Sequence, residues 1–244
     1  MERNVRVAVI LAAGKGERLG HAMGEIPKGF IQLGKKSIIE ESIDKLIYCG
    51  IDQVIIVTGY LSKYYDELAE TYDCIKTIKN EEYNNSGSMY SLYCAKDMIH
   101  EDFLLLESDL IYEVRALQEV IKLQKKDVIL VSGHTNAGDE VFVSAKNDYL
   151  LNMSKNEKLE NIIGELVGIS KISENFLRIM IGQCEDEFKQ SIMHNYEVDG
   201  FVRAGKIEDI YCHKISDLIW AEIDDYKQYC NAKENIYPKI TGKE

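Results

Sequence analysis

A glycine-rich segment near the start of the chain is followed by three positively charged side chains. Residues 7–11 form a short apolar run, and small residues with a Gly-x-Gly turn follow it directly. The three cations are Lys15, Arg18 and Lys28. Glycines let backbone N–H groups turn toward phosphate oxygens, and the cations offset the negative charge of a polyphosphate. This arrangement predicts a binding site for a nucleoside triphosphate.

Two acidic positions could hold a divalent cation beside that loop. Asp109 follows the apolar run 103–106, and the segment 222–225 reads Glu-Ile-Asp-Asp. Alternation along a strand places Glu222 and Asp224 on one face. Two carboxylates, phosphate oxygens and water make a reasonable octahedral Mg²⁺ site. A helix N-cap is the alternative for Asp109, and sequence context alone leaves both interpretations open.

A run of small polar residues forms a third candidate site. Residues 84–88 read Asn-Asn-Ser-Gly-Ser and lead into a helical pattern. The first N–H groups of a helix are free to bind a ligand. Gly87 and Ser88 are therefore candidate ligand contacts, and a simple capped helix start is the alternative.

Strand-like runs alternate with helical patterns over the first half of the chain. Such alternation implies a parallel sheet with helices on both faces. Ligands of such sheets bind at the carboxyl ends of the strands, where the glycine-rich loop and Asp109 lie. The predicted strands are 7–11, 54–58, 74–78, 103–106 and 128–131, and the predicted helices are 37–48, 61–72, 88–99 and 112–123.

The pattern changes after about residue 135, where shorter and partly antiparallel strands are predicted. We expect one domain, 1–244. Residues 1–135 form its nucleotide-binding half, and residues 136–244 form a half that faces the second substrate and supplies the candidate metal ligand Asp224. The predicted strands of this half are 140–143, 150–153, 165–169, 210–213 and 219–223, and its predicted helices are 176–190 and 225–235.

Charge and composition exclude several classes of partner. The net charge of −12 disfavours nucleic acid and anionic membranes, because either needs a basic surface. No apolar run approaches the roughly 20 residues that span a bilayer, and the first residues lack a signal-peptide layout. The six cysteines have no metal-ligand spacing, which is typical of reduced thiols. We expect a cytoplasmic protein that binds neither nucleic acid nor membrane.

The segment from Leu11 to Leu19, with Pro27-Lys28, resembles the opening motif of the nucleotidyltransferases that make nucleotide-sugars and CDP-linked alcohols. That motif is close to L-A-A-G-x-G-x-R-L followed by P-K. The resemblance implies an α/β fold of the GT-A-like nucleotidyltransferase type, Rossmann-like, with a mixed, mainly parallel sheet flanked by helices. It also implies a homodimer.

The same resemblance implies roles for particular residues. Asp109 and Asp224 would hold the catalytic Mg²⁺, and Lys15, Arg18 and Lys28 would stabilise the triphosphate. The stretch around Gly87 and Ser88 would lie against the nucleobase. The full set of implied nucleotide-binding residues is Leu11, Ala12, Ala13, Gly14, Gly16, Thr58, Gly59, Tyr60, Gly87, Ser88, Glu107 and Ser108.

Later segments resemble the cytidylyltransferases that activate 2-aminoethylphosphonate, a group related to the phosphocholine cytidylyltransferases. The implied reaction transfers CMP from CTP to that small phosphonate. The matching stretches are 27–30, 58–60, 87–93, 103–110, 138–141, 152–155, 164–171 and 222–225.

The charges of such an acceptor fit residues of the second half. Asp139 or Glu140 could hold the ammonium and Lys155 the phosphonate, with Glu165 as a further acceptor-binding residue. A solvated turn and a surface cation are the alternatives. A choline-binding site would use an aromatic cage, which 15 tyrosines and one tryptophan leave possible.

Other functions compete with this interpretation. Phosphocholine or a sugar phosphate as acceptor would keep the reaction and change the substrate. A metal-dependent glycosyltransferase is a rival, because Glu107-Ser108-Asp109 loosely imitates its D-x-D motif. The glycine-rich loop argues against that rival, since it suits a triphosphate leaving group. A non-catalytic nucleotide sensor would not need the full set of cations and metal carboxylates.

Overall fold

The computed structural model describes residues 5–19, 24–156 and 158–242. Its elements alternate between strand and helix along most of the chain. The strands are β1 (Val7–Ala12), β2 (Gln53–Thr58), β3 (Ile75–Lys79), β4 (Phe103–Glu107), β5 (Leu110–Tyr112), β6 (Val128–Ser132), β7 (Phe142–Lys146), β8 (Tyr149–Ser154), β9 (Ile162–Ile172), β10 (Tyr211–Ile215) and β11 (Trp220–Glu222). The helices are α1 (Ile38–Tyr48), α2 (Lys63–Thr71), α3 (Ser88–Cys94), α4 (Arg115–Lys122), α5 (Glu174–Phe188), α6 (Val202–Ala204), α7 (Tyr226–Asn231) and α8 (Tyr237–Thr241).

Nine strands form one sheet in the order β3-β2-β1-β4-β9-β6-β10-β8-β7. The strands β3, β2, β1 and β4 are parallel, as the buried apolar runs predict. The long strand β9 lies antiparallel between β4 and β6. A small second sheet pairs β11 with β5, which brings the C-terminal segment beside Asp109. The expected α/β fold with a mixed sheet flanked by helices is confirmed.

Both faces of the large sheet are buried under apolar side chains, and alternate residues of each strand face opposite sides. In β1, Val7, Val9 and Leu11 belong to one core cluster, whereas Ala8 and Ile10 belong to the other. A third cluster joins α7 and α8 to the segments that follow the glycine-rich loop. Among the described residues, no helix is both long and apolar enough to cross a bilayer.

Several predicted boundaries are wrong. The helix predicted over 112–123 begins only at Arg115, because Tyr112 belongs to β5, where it pairs with Trp220. The helix predicted over 88–99 ends at Cys94 and gives way to a short 3₁₀ turn. The strand predicted over 165–169 is part of an eleven-residue strand. The first and third errors share a cause, since partners distant in sequence set these strands.

Candidate active site

The glycine-rich loop follows β1 and lies between the ends of neighbouring strands. Ser108 N donates to Leu11 O at 3.2 Å, and Tyr60 N donates to Ala13 O at 3.1 Å. Gly16 has a φ of +63°, and an added Cβ there would lie 2.7 Å from Cγ of Lys28. The glycine therefore permits both the turn and the passage of the lysine beneath it.

A cavity of about 220 Å³ opens beside this loop. It brings together most of the predicted nucleotide-binding residues and adds several tyrosines and serines. The predicted residues that line it are Leu11, Ala13, Gly14, Lys28, Gly87, Ser88, Glu107, Ser108 and Asp109.

Seven other residues predicted for the nucleotide site do not line that cavity, and one of them, Arg18, lines a larger cavity instead. Ala12 and Thr58 are buried partners in the pairing of β1 with β2. Gly59 packs against Tyr83 and the Ala13 carbonyl, next to Tyr60. Gly16 lies over Lys28, as described. The side chain of Lys15 is 39% exposed, and its nearest ionic partner is Glu17 at 3.5 Å.

Lys28 joins the two predicted metal carboxylates. Its Nζ lies 2.8 Å from Oδ2 of Asp109 and contacts Oδ1 of Asp224. Arg18 contacts the other oxygen of Asp224 and lies 3.2 Å from Asp139. Two cations and three carboxylates, all distant from one another in sequence or separated by a turn, thus form one ionic network.

This network shifts the ionisation of its members. Burial opposes the charge of Lys28, but Asp109 and Asp224 outweigh it and raise the lysine pKa above its usual value. Burial likewise opposes the charge of Asp224, but the charge and hydrogen bond of Lys28 lower the pKa of that carboxyl to about 2. Both partners are therefore charged at neutral pH.

Three carboxylates lie close together where the loop meets β11. Oxygen atoms of Glu107, Asp109 and Glu222 lie within 4.8 Å of one another. Burial and repulsion from neighbouring carboxylates raise the pKa of both Glu107 and Glu222 well above the usual value. Tyr196 donates from its hydroxyl to Glu107 at 2.6 Å. Carboxylate oxygens are the donors that Mg²⁺ prefers, so this cluster with Asp224 fits that ion.

The start of α3 is tied to the segment that follows α5. Gly87 N donates to Ile192 O at 2.8 Å, and Met89 N donates to His194 O at 3.0 Å. An added Cβ at Gly87 would lie 2.1 Å from the His194 carbonyl oxygen. Glycine is required here by a backbone crossing, a reason that the sequence pattern did not reveal.

Ser88 connects two further groups of that segment. Its hydroxyl accepts from Tyr196 N at 3.0 Å and donates to Glu197 at 3.1 Å. Ser88 was predicted to contact a ligand, but its hydroxyl uses these two hydrogen bonds within the protein.

A second, larger cavity of about 670 Å³ lies on the other side of the carboxylate cluster. Glu107 and Glu222 line both cavities. The predicted acceptor residues Asp139, Glu140, Lys155 and Glu165 all line this one, together with Arg18 and Asp224. The structure therefore brings the predicted acceptor-binding residues next to the predicted metal carboxylates.

The acidic residues of this cavity differ in their partners. Glu165 accepts from Thr135 N at 2.9 and 3.0 Å and from the Thr135 hydroxyl at 2.7 Å, so it anchors a loop. Glu140 accepts from Gly138 N at 3.0 Å. Asp139 accepts from Arg18 and from Nε2 of Gln228 at 3.0 Å.

Sequence reasoning missed several residues that shape the site. Glu222 was considered as the neighbour of Asp224 on one strand face, and Glu107 as a nucleotide contact and as part of a loose D-x-D motif, yet both join the carboxylate cluster. Glu197 and Gln228 carried no motif, and their roles depend on contacts distant in sequence. The capping box of α7, formed by Asp225 and Gln228, is the one signal that could have drawn attention to Gln228.

The fold and the site define the class of protein. The phosphocholine cytidylyltransferase of Streptococcus pneumoniae has a similar solved structure, with a TM-score of 0.75 and 21% identity over 94% of this chain and 99% of that one. The chain belongs to the MobA-like NTP transferase domain family, whose model matches residues 8–169. The resemblance to nucleotidyltransferases is thereby confirmed.

Two relatives match most of the chain. The CTP:phosphoglutamine cytidylyltransferase of Campylobacter jejuni is 25% identical over 195 residues, which cover 73% of this chain and 77% of that protein. The 2-aminoethylphosphonate cytidylyltransferase of Lancefieldella rimae is 25% identical over 225 residues, which cover 89% and 87%. Both relatives are cytidylyltransferases with different acceptors.

Proposed function

We propose that the protein is a CTP-dependent cytidylyltransferase that transfers CMP to 2-aminoethylphosphonate. A phosphonate oxygen attacks the α-phosphorus of CTP in line, a P–O bond forms, and the bond to the pyrophosphate breaks. The products are CMP-2-aminoethylphosphonate and pyrophosphate. Family membership supports nucleotidyl transfer, and the two cytidylyltransferases among the relatives support CTP as the donor.

The residues that line the larger cavity support 2-aminoethylphosphonate as the acceptor. Carboxylates from several segments surround it, and Trp220 is the one ring of tyrosine, phenylalanine or tryptophan type among its described lining residues. A primary ammonium donates hydrogen bonds to carboxylates, whereas a quaternary ammonium is typically bound by several aromatic rings. This lining favours an amino group over a choline group.

The cations of the site are assigned to two substrates, the CTP donor and the phosphonate acceptor. Lys15, Arg18 and Lys28 are proposed to stabilise the triphosphate and the departing pyrophosphate. Lys155, at the end of β8, lines the larger cavity and is proposed to orient the phosphonate. Asp139 or Glu140 is proposed to face the ammonium, and Glu165 to hold the loop that carries both. Positioning and charge neutralisation then account for the rate, as in phosphoryl transfer generally.

Mg²⁺ is the proposed cofactor, with Asp109 and Asp224 as its protein ligands. When bound, it would neutralise charge on the α-phosphate and on the attacking oxygen. The adjacent carboxylates Glu107 and Glu222 supply further oxygen donors within reach of Asp109. Lys28 would then be released from both aspartates to contact the phosphates.

A screen of pyrophosphate release tests the proposal. Each of the four ribonucleoside triphosphates is combined with 2-aminoethylphosphonate, phosphocholine, phosphoethanolamine or glucose 1-phosphate. We expect CTP with 2-aminoethylphosphonate to give the highest kcat/KM, and phosphocholine to fall roughly 100-fold below it, which corresponds to about 2.7 kcal/mol of discrimination. Equal or higher kcat/KM with another pair would reject the proposed acceptor or donor.

Phosphocholine is the second candidate acceptor. Trp220 supports it, because its indole lines the cavity. A tryptophan face is the strongest aromatic partner for a quaternary ammonium. Trp220→Leu separates the two candidates, since it would weaken phosphocholine turnover far more than turnover of a primary amine.

A further inference from the structure

The side chain of Gln228 bonds in two directions from the first turn of α7. Its Oε1 accepts from the backbone N of Asp224 at 2.6 Å and of Asp225 at 3.2 Å. Its Nε2 donates to Oδ1 of Asp139 at 3.0 Å. One amide thus connects the turn that carries a proposed metal ligand to a loop of the acceptor cavity.

That loop, residues 133–141, is here called the acceptor loop. Its two ends are fixed to β9, where Thr135 donates to Glu165 and Val141 O accepts from Leu166 N at 2.9 Å. Between these ends, Asn136 and Gly138 have positive φ angles, so the chain turns sharply at the tip of the loop. Among the described residues, hydrogen bonds from the tip to other segments run through the Asp139 side chain.

The two side chains that donate hydrogen bonds to Asp139 differ in what else they do. Arg18 also contacts Asp224 and is proposed to stabilise the triphosphate, so nucleotide competes for its guanidinium. Gln228 is neutral, and its oxygen is committed to the start of its own helix. Its Nε2 is therefore the partner that stays with Asp139 when Arg18 turns to phosphate.

We propose that Gln228 is a positioning residue that latches the acceptor loop to the turn carrying Asp224. The latch fixes one wall of the acceptor cavity relative to the proposed metal ligand and touches no reacting atom. The identity of the cavity as the acceptor site rests on the proposed function, whereas the latch itself does not. Loss of the latch should weaken acceptor binding and leave the chemical step intact.

Gln228→Glu tests the latch without removing the helix cap. A glutamate can still accept from Asp224 N and Asp225 N, as in an ordinary capping box, but it cannot donate to Asp139. We expect amide hydrogen exchange at residues 136–140 to speed up at least about fivefold and the acceptor KM to rise roughly tenfold. We expect kcat and the KM for CTP to stay within about twofold, and the Tm to be unchanged.

A double variant restores the hydrogen bond between positions 139 and 228 with its donor and acceptor exchanged. In Gln228→Glu combined with Asp139→Asn, the new amide at 139 can donate to the new carboxylate at 228. Exchange protection of the loop should return toward the wild-type level. Gln118→Glu is the matched control, because it makes the same chemical change on an exposed position of α4.

Each outcome decides for or against the latch. Wild-type exchange and wild-type acceptor KM in Gln228→Glu would overturn it. So would faster exchange throughout α7 with a lower Tm, which would mean that Gln228 only caps its helix. If loop exchange rises and the double variant restores it while no phospho-acceptor is turned over, the latch holds and the proposed function fails.

Discussion

The ammonium of Lys28 lies 2.8 Å from the carboxylate of Asp109, and the same ammonium also contacts Asp224. One lysine thus lies between the two residues proposed to bind Mg²⁺. Its side chain is only 16% exposed, so the ion pairs are shielded from solvent. The lysine neutralises charge that the ion would neutralise, and metal and lysine should compete for these carboxylates.

Replacement of the lysine should make the protein more responsive to metal. Lys28→Met removes a cation shared by two buried carboxylates, of which Asp224 keeps its contact with Arg18, and this loss should cost about 3 kcal/mol of unfolding free energy. Added Mg²⁺ should recover part of that loss, so the metal-induced rise in Tm should be larger in the variant than in the wild type. Thermal unfolding with and without Mg²⁺, in the absence of nucleotide, measures both effects. Lys63→Met, on an exposed lysine of α2, is the control.

An equal Tm response in Lys28→Met and the wild type would contradict competition between lysine and metal. Activity is a separate readout, since Lys28 is also proposed to contact the triphosphate. Turnover should fall in the variant even where Mg²⁺ restores its stability.

The proposed metal carboxylates should be needed for turnover. Asp109→Asn and Asp224→Asn keep the size of the side chain and remove its charge. We expect pyrophosphate release to fall by about 10²–10³-fold, the range for loss of one preorganised electrostatic contact. Glu81→Gln, a neutralised exposed carboxylate, should retain full turnover. Near-normal turnover in either aspartate variant, with the fold intact by circular dichroism, would reject the metal assignment.

The backbone crossing at Gly87 predicts a large effect of one methyl group. In Gly87→Ala the new Cβ meets the backbone of His194, which cannot rotate away, and we expect a loss of about 1–3 kcal/mol of unfolding free energy. Gly182→Ala is the matched control, because it lies within α5 with open space around it and should stabilise by about 0.5–1 kcal/mol. Urea unfolding of both variants gives the comparison, and equal stability of the two would disprove a tight crossing.

His213 should make folding stability depend on pH. Burial lowers its pKa from the usual value of 6.5, and Glu119 only partly offsets that effect. The unfolded chain therefore takes up a proton before the folded protein does, so stability is retained above pH 6.5 and lost as the pH falls through it. The difference in unfolding free energy between wild type and His213→Gln should shrink from pH 8 to pH 5.5. A difference independent of pH would exclude this assignment.

Much of the nucleotide-binding part of the candidate site could be predicted from the sequence. Buried strands of parallel sheets are continuous apolar runs, so the ends of β1 and β4 were readable, and with them the positions of Gly14 and Asp109. The spacing of Glu222 and Asp224 was also readable. Their separate contacts could not be predicted from that spacing, because Glu222 joins the carboxylate cluster whereas Asp224 contacts Lys28 and Arg18.

The rest depends on contacts that no local pattern encodes. Glu197 faces the site because Ser88 and Tyr196 fix the segment that carries it. Tyr112 reads as the start of a helix, yet pairing with β11 makes it part of a strand. Both depend on segments about 110 residues away along the chain.

The position of β9 between β4 and β6 also governs the order in which the protein can assemble during synthesis. Among the described strands, β6 pairs only with β9 and β10, so it has no neighbour in the sheet when it leaves the ribosome. Until β9 has been synthesised, the edge of β4 that faces away from β1 is unpaired, and an unpaired strand edge is prone to mispairing. Nascent chains that stall before residue 172 should therefore depend on chaperones more than completed ones.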